Sequence, residues 1–258
     1  MHGLAKNYLQ RYEKAKSHRQ LFENLFDECY EFALPQREGF TKLSPGQRRD
    51  DRIFDETAVV GVQEFASRLQ NGICPNFARW ADFVAGSEVE GIDEDRINNE
   101  LDEVTEYVFE IIQNSNFGQE AHESFLDLAV GTGCLLVEEG DAINPVRFNA
   151  VPLPQIVLEN GPDDRIDHVY RERELRMRDL PIAYPKAVLS VDMASKVMNQ
   201  PDRKCKIIEI VCRLYDKPNV ERHAFYVVTK EDGELLYEEE FEGAGSNPFV
   251  CFRWSKAA

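Results

Sequence analysis

Phe117-Gly118-Gln119-Glu120-Ala121-His122-Glu123-Ser124-Phe125-Leu126-Asp127-Leu128-Ala129-Val130-Gly131-Thr132-Gly133-Cys134-Leu135-Leu136-Val137 is the stretch whose periodicity separates the two halves of the chain. Phe117, Ala121, Phe125 and Leu128 recur at the three-to-four spacing of one helix face, and Asn116 with Gln119 has the form of a capping box. Beyond Gly131 the spacing changes. Cys134 to Val137 is a continuous apolar run that meets a Gly140-Asp141 turn within a few residues, as a short strand does. The chain is therefore expected to be helical through residue 130 and mainly extended from 131 onward. That order, helices first and strands later, gives the α+β class.

Upstream, Tyr8, Tyr12, Ala15, Phe22, Leu25, Phe26, Cys29 and Phe32 mark a long first helix that Pro35 terminates. Gln36–Arg52, with Gly39, Pro45, Gly46 and five basic side chains, has the composition of a loop. Asp55 or Thr57 is placed to cap a second helix with Val59, Val62, Phe65, Ala66 and Leu69 on its face, Gly72 as its terminator and Pro75 just beyond. Asp93 is placed to cap a third, whose stripe is Ile97, Leu101, Val104, Val108 and Ile111, and the four helices are expected to bury their stripes by packing on one another or on a sheet. Downstream, strands are expected at Cys134–Glu139, Val146–Ala150, Ile156–Glu159 and Ile166–Leu175. A helix opening at Pro185 and running to about Asn199 comes next. Cys205–Tyr215, Arg222–Lys230, Glu234–Phe241 and Phe249–Trp254 then form an antiparallel meander with turns at Lys217-Pro218-Asn219 and Asp232-Gly233.

The chain has 258 residues, 43% hydrophobic and 30% charged, enough for a substantial core. Lys and Arg number 30 against 47 Asp and Glu, so the net charge of -17 disfavours a dedicated polyphosphate binder. Six cysteines lie far apart, with no CxxC pair, and suit buried thiols made in a reducing cytoplasm. No apolar run approaches the ~20 residues of a membrane span, so no membrane partner is expected.

Phe125 to Gly133 also resembles the glycine-rich first motif of S-adenosylmethionine methyltransferases, which needs a strand before the glycines and a helix after them. Here the order is reversed, and the motif is expected to be a helix-to-strand turn. The five histidines are scattered, with no HExxH and no metal-ligand spacing; His168 is expected at the surface or half-buried. Glu238-Glu239-Glu240 with Glu242 suits a solvated strand edge, and Glu100, Glu103, Glu106 and Glu110 a solvated helix face. No catalytic residue, metal ligand or cofactor is assigned. Trp80 and Phe83 are expected to form an aromatic cluster against Phe65 and Leu69, and Arg68 and Arg79 to hold a carboxylate bidentately, either within the subunit or across a subunit boundary.

Two segments carry a family resemblance: Arg11-Tyr12-Glu13 through Glu31-Phe32-Ala33-Leu34-Pro35, and, more specifically, Arg52-Ile53-Phe54-Asp55-Glu56-Thr57-Ala58 followed by Phe65-Ala66-Ser67-Arg68-Leu69. The second runs on through Gly72-Ile73-Cys74-Pro75 to Ala78-Arg79-Trp80-Ala81-Asp82-Phe83. This order resembles the N-terminal part of the portal, or head-to-tail connector, proteins of podovirus-type short-tailed bacteriophages. The resemblance implies a structural subunit and not an enzyme. Residues 1–130 become a helical wing region, and 131–258 a β region leading to a missing stem and clip. It implies a dodecameric homo-oligomeric ring at the portal vertex of a virion, synthesised in the host cytoplasm. Its partners are terminase, capsid or scaffold proteins and tail proteins, with DNA passing through without sequence-specific binding. Phe65, Arg68, Leu69, Pro75, Arg79, Trp80 and Phe83 are the structural or interface candidates. A methyltransferase built on Gly131-Thr132-Gly133 and a stand-alone interaction protein from a prophage remnant stay open as alternatives. With only the wing present, a folded monomer or weak oligomer is expected in dilute solution.

The charge balance yields a first prediction. Duplex DNA should bind no tighter than the ~10⁻⁴–10⁻⁶ M of non-specific binders at physiological salt. A gel shift at nanomolar protein would show that a local basic groove, with Gln36–Arg52 the first place to look, overrides the net charge.

Overall fold

The computed structural model describes residues 2–41, 53–88, 91–217 and 220–254. The expected α+β class is observed: helices α1 (His2–Ala33), α2 (Thr57–Ile73), α3 (Ile92–Asn114) and α4 (Phe117–Val130) precede every strand. The change of periodicity falls where the sequence places it, α4 ending at Val130 and β1 (Thr132–Glu139) beginning two residues later. Residues 42–52 of the expected loop and Pro218-Asn219 of the expected turn lie outside the described residues.

By contacts the chain forms two compact units, each assembled from separated segments. One takes the chain up to Leu25 with Pro154–Phe249; the other takes Phe26–Leu153 with the residues from Val250. In the first unit, β3 (Ile156–Asn160), β4 (Ile166–Arg176), β5 (Lys204–Leu214), β6 (Arg222–Thr229) and β7 (Leu235–Glu242) form an antiparallel sheet in that order. The central strand β5 carries Ile207-Ile208-Glu209-Ile210-Val211, buried without alternation because both faces are covered, with the Glu209 carboxylate paired to Arg171 and Arg173. Ile208 and Ile210 join Tyr170 and Val228 under Ala5 and Tyr12 of α1. Ile207 and Val227 join Met177, Leu180, Tyr184 and Met193 on the other side. These last residues belong to the β4–β5 connection, which carries the short helices α5 (Leu180–Ala183) and α6 (Val191–Asn199). Pro185 does not open a helix. Ser190 does, its hydroxyl accepting from the Met193 N–H at 3.2 Å.

Glu172 is the polar clasp of this unit. Its Oε2 accepts from Tyr12 Oη at 2.5 Å, Lys230 Nζ at 2.9 Å and Lys16 Nζ at 3.1 Å, tying α1 to β4 and to the residue that follows β6. His168 is buried rather than half-exposed, at 8%. Burial, and then the Arg11 charge, lower its pKa and favour the neutral ring. The acidic run does occupy an edge: β7 is the last strand, and Arg222 takes up Glu240 at 2.5 Å and Glu242 at 3.3 Å.

In the second unit α4 is the most deeply covered helix, with Ala121, Ser124, Phe125, Leu126, Asp127 and Leu128 all buried. Asn116 does not cap it through its side chain. Its amide instead makes two hydrogen bonds to the Phe148 backbone, donating to the carbonyl at 2.7 Å and accepting the N–H at 3.0 Å, which docks β2 (Val146–Ala150) beside the helix start. For α3 the N-cap is Gly91, at φ 78, with Asp93 in the first turn. β8 (Phe249–Arg253) leaves the expected meander and pairs with β1, giving a sheet ordered β2-β1-β8. Gly243 and Gly245, at φ 124 and 69, turn the chain after β7 in a conformation that suits glycine. Phe252 then packs edge-on against Phe125 at 5.7 Å. The Gly131-Thr132-Gly133 stretch therefore joins a helix to a strand, the reverse of a cofactor loop. A Cβ on Gly133 would lie 2.4 Å from the Phe252 ring and 2.8 Å from the Ser124 carbonyl oxygen, so this glycine serves close packing.

Glu172 sets the pH response of the first unit. Burial opposes its charge, but the hydrogen bonds from Tyr12, Lys230 and Lys16 prevail and hold its pKa at about 2, below the ordinary 4.5. Its stabilisation is complete above pH 4.5 and lost as pH falls toward 2. Screening at its partly exposed edge reduces the contribution to about 1–3 kcal/mol. Glu172→Gln should lower the melting temperature at neutral pH and flatten the acid limb of the stability curve below pH 5. Parallel acid limbs for variant and parent would contradict this role.

Candidate interaction surface

The sequence candidates all fall in the second unit, but the structure does not gather them into one cluster. Phe65, on α2, is half-buried and meets Trp254 edge-on at 5.8 Å, while Leu69 is half-buried one turn later. Arg68 is exposed and pairs with Glu64 along the same helix, a contact of little energetic weight. Trp80 is 40% exposed and Phe83 51%. The expected packing of Trp80 on Phe65 and Leu69 is not what holds it. Trp80 instead meets Phe109 of α3 edge-on at 5.2 Å and stacks on Phe117 of α4 at 6.0 Å, and Phe117 in turn meets Phe148 at 5.0 Å. An aromatic ladder thus runs from the extended segment after α2 through two helices to β2.

This segment is laid along α3 by polar contacts. The Phe83 N–H donates to Thr105 Oγ1 at 3.1 Å and the Ala85 N–H to Asn98 Oδ1 at 2.8 Å, while Arg79 pairs with both Asp82 and Asp102. Arg79 does hold carboxylates within the chain, but two different ones. The hydrogen bond to Asp102 is the largest cause raising its pKa.

Gln70 escapes a reading based on apolar periodicity. It is 7% exposed, and its Nε2 donates to the Gly118 carbonyl at 2.7 Å and to Asn76 Oδ1 at 2.9 Å. Its Oε1 lies 3.2 Å from His122 Nδ1. The end of α2, the turn after Pro75 and the start of α4 meet at this one side chain. Its sequence signal is a polar residue four positions after Ala66, on a helix face otherwise apolar. Beside it, Pro75, Phe77, Trp80, Phe109 and Phe117 line a groove of about 250 Å³, with Phe77 95% exposed at its lip.

The third helix supplies the largest departure from expectation. Ile97, Leu101, Val104, Val108 and Ile111 follow 4-3-4-3 spacing, the seam of a helix that packs lengthwise on another. None of the five is buried: Val104 is 48% exposed and the others are intermediate. α3 buries Thr105 and Phe109 instead. Glu100, Glu103, Glu106 and Glu110 are exposed, as expected for a solvated face. The surface thus combines a partly uncovered apolar seam, an exposed aromatic segment and many carboxylates. Among the described residues no group of three or more His, Cys, Asp or Glu side chains could hold a metal ion, and no helix is long and apolar enough to cross a membrane.

The profile of a protein family described as bacteriophage head to tail connecting protein matches residues 5–258. No curated protein matches the chain.

Gln70 and Trp80 should separate core from surface. Gln70→Ala leaves the Gly118 carbonyl and Asn76 without their donor and should cost about 1–3 kcal/mol. Trp80→Ala should cost about 1–2 kcal/mol, less than the ~3–5 kcal/mol of a fully buried aromatic. Urea unfolding of both variants measures the order. A larger loss at Trp80 would make the aromatic ladder core rather than surface.

Proposed function

This chain belongs to the bacteriophage head-to-tail connecting protein family, and on that footing we propose that it is a structural subunit of the portal ring, working by assembly rather than catalysis. In this reading copies of the chain close a ring at one capsid vertex, DNA passes through during packaging and ejection, and capsid, terminase and tail proteins attach around it. Residues 1–130 then belong to the wing, and the β-rich remainder leads toward the stem and clip.

The observation that carries the reading is the α3 seam. A 23-residue helix with 4-3-4-3 apolar spacing and no buried seam residue has hydrophobic area to offer a neighbour. A ring needs a heterologous contact, two different patches on each copy, and the seam with the adjacent Phe77–Val84 segment is suited to be one of them. The candidates Phe65, Leu69 and Pro75 support the α2 end from which that segment departs. Arg79 fixes its course, and Trp80 and Phe83 offer aromatic area of the kind that anchors interfaces. The net charge of -17 opposes close approach of identical subunits and, by the same sign, keeps DNA from adhering to the wall.

Self-association should therefore rise with protein concentration and with ionic strength. In light scattering coupled to size exclusion, Val104→Glu/Val108→Glu should shift the association curve at least tenfold toward higher concentration. Its melting temperature should change by only a few degrees, because neither position is buried. Unchanged association in the folded double variant would remove α3 from the interface.

A further inference from the structure

We propose that Cys134 and Cys251 form a redox-closed pair, an intramolecular disulfide that staples the central strand β1 of the three-stranded sheet to its edge strand β8 under oxidising conditions. Their sulfurs stand 3.4 Å apart. A disulfide bond is about 2.05 Å long, so closure asks for little more than an ångström of movement. The two residues sit on neighbouring strands, β1 and β8, 117 positions apart in sequence.

The approach has a visible cause. Gly133, next to Cys134, has no Cβ where Phe252, next to Cys251, places its ring. Any side chain at 133 would push that ring, and the strand carrying it, away from β1. The glycine that resembled a cofactor loop thus brings two thiols into contact. Cys212 is engaged differently, its sulfur 3.1 Å from Tyr8 Oη.

Exposure assigns the order of events. Cys251 is partly exposed, whereas Cys134 is fully buried. With glutathione disulfide as oxidant, the Cys251 thiol loses its proton and its sulfur attacks, expelling one glutathione thiolate and leaving a mixed disulfide. The Cys134 thiol then loses its proton and attacks the Cys251 sulfur, expelling the second glutathione thiolate. Two protein thiols and one glutathione disulfide become one protein disulfide and two glutathione molecules. A glutathione-reducing cytoplasm keeps the pair open, and an oxidising medium closes it. This chemistry belongs to the chain itself and stands apart from the connector reading.

The test equilibrates the full chain in glutathione buffers from reducing to oxidising, then unfolds, alkylates and maps the peptides. In the oxidising buffers Cys134 and Cys251 should be joined to each other, and the remaining four of the six cysteines alkylated. The oxidised protein should melt at a higher temperature, reversed by dithiothreitol, because the bond closes a long loop. Cys134→Ser should instead collect a single glutathione adduct at Cys251. Six alkylated cysteines in the most oxidising buffer, or first closure between any other pair, would overturn the proposal. The mapping of the unaltered chain decides the matter even if the variant does not fold.

Discussion

A buried carboxylate organises the unit that carries the candidate interaction surface. Asp127, on the inward face of α4, has a side chain only 1% exposed. Burial raises its pKa, and the Arg37 guanidinium, 2.7 Å away, pulls in the opposite direction. Tyr30, itself fully buried, donates to the second oxygen at 2.5 Å. Arg37 reaches on to Glu123 one turn earlier, its Nη2 also donating to the Glu123 carbonyl at 3.0 Å. A charge so enclosed is costly without its partners, so the last turns of α1, the chain just past Pro35 and α4 must keep their relation for the unit to hold. Once α4 is placed, the rest of the unit is built on it: Gly133 and β1 follow from its end, Gln70 and the Pro75 turn from its start.

Much of this architecture was legible because strands and helices announce themselves by period. Val146–Ala150 matches β2 at both ends, and most other strand boundaries fall within two residues of those observed. Failures came where an element's partner lies far away in sequence. β8 has the composition of a fourth meander strand, yet it pairs with β1, where Phe252 packs closely over Gly133. Nothing local tells that the chain returns after Leu153 to build a sheet beneath its own first helix. Ser190 displaced Pro185 as a helix start because a hydroxyl can accept from an amide N–H, while proline only fixes φ.

The surface was legible in part and for a similar reason. Periodicity identified the α3 stripe correctly as apolar but implied that the chain itself would bury it. Spacing reports that a face seeks cover, and it does not say whose. Trp80 and Phe83 stood out as aromatics, yet their neighbours are Phe109, Phe117 and Thr105, on two helices whose packing against this segment periodicity does not report. Gln70 was missed because amphipathic patterns count apolar residues, and the junction it makes is entirely polar.

An acidic chain whose third helix keeps a coiled-coil-like seam half open is understandable as one subunit of a larger assembly. In the proposed reading the apolar seam is the binding area, and the surrounding carboxylates would make that binding conditional on salt and crowding. The most direct test joins copies chemically where they touch. Equal amounts of isotopically light and heavy chain are mixed at high concentration and salt, treated with a carbodiimide that couples carboxylates to lysines, and digested. If α3 is a subunit contact, mixed-isotope cross-links will include its carboxylates, Glu100, Glu103 or Glu106 above all. Abundant mixed cross-links that avoid α3, or none under any condition, would contradict the account.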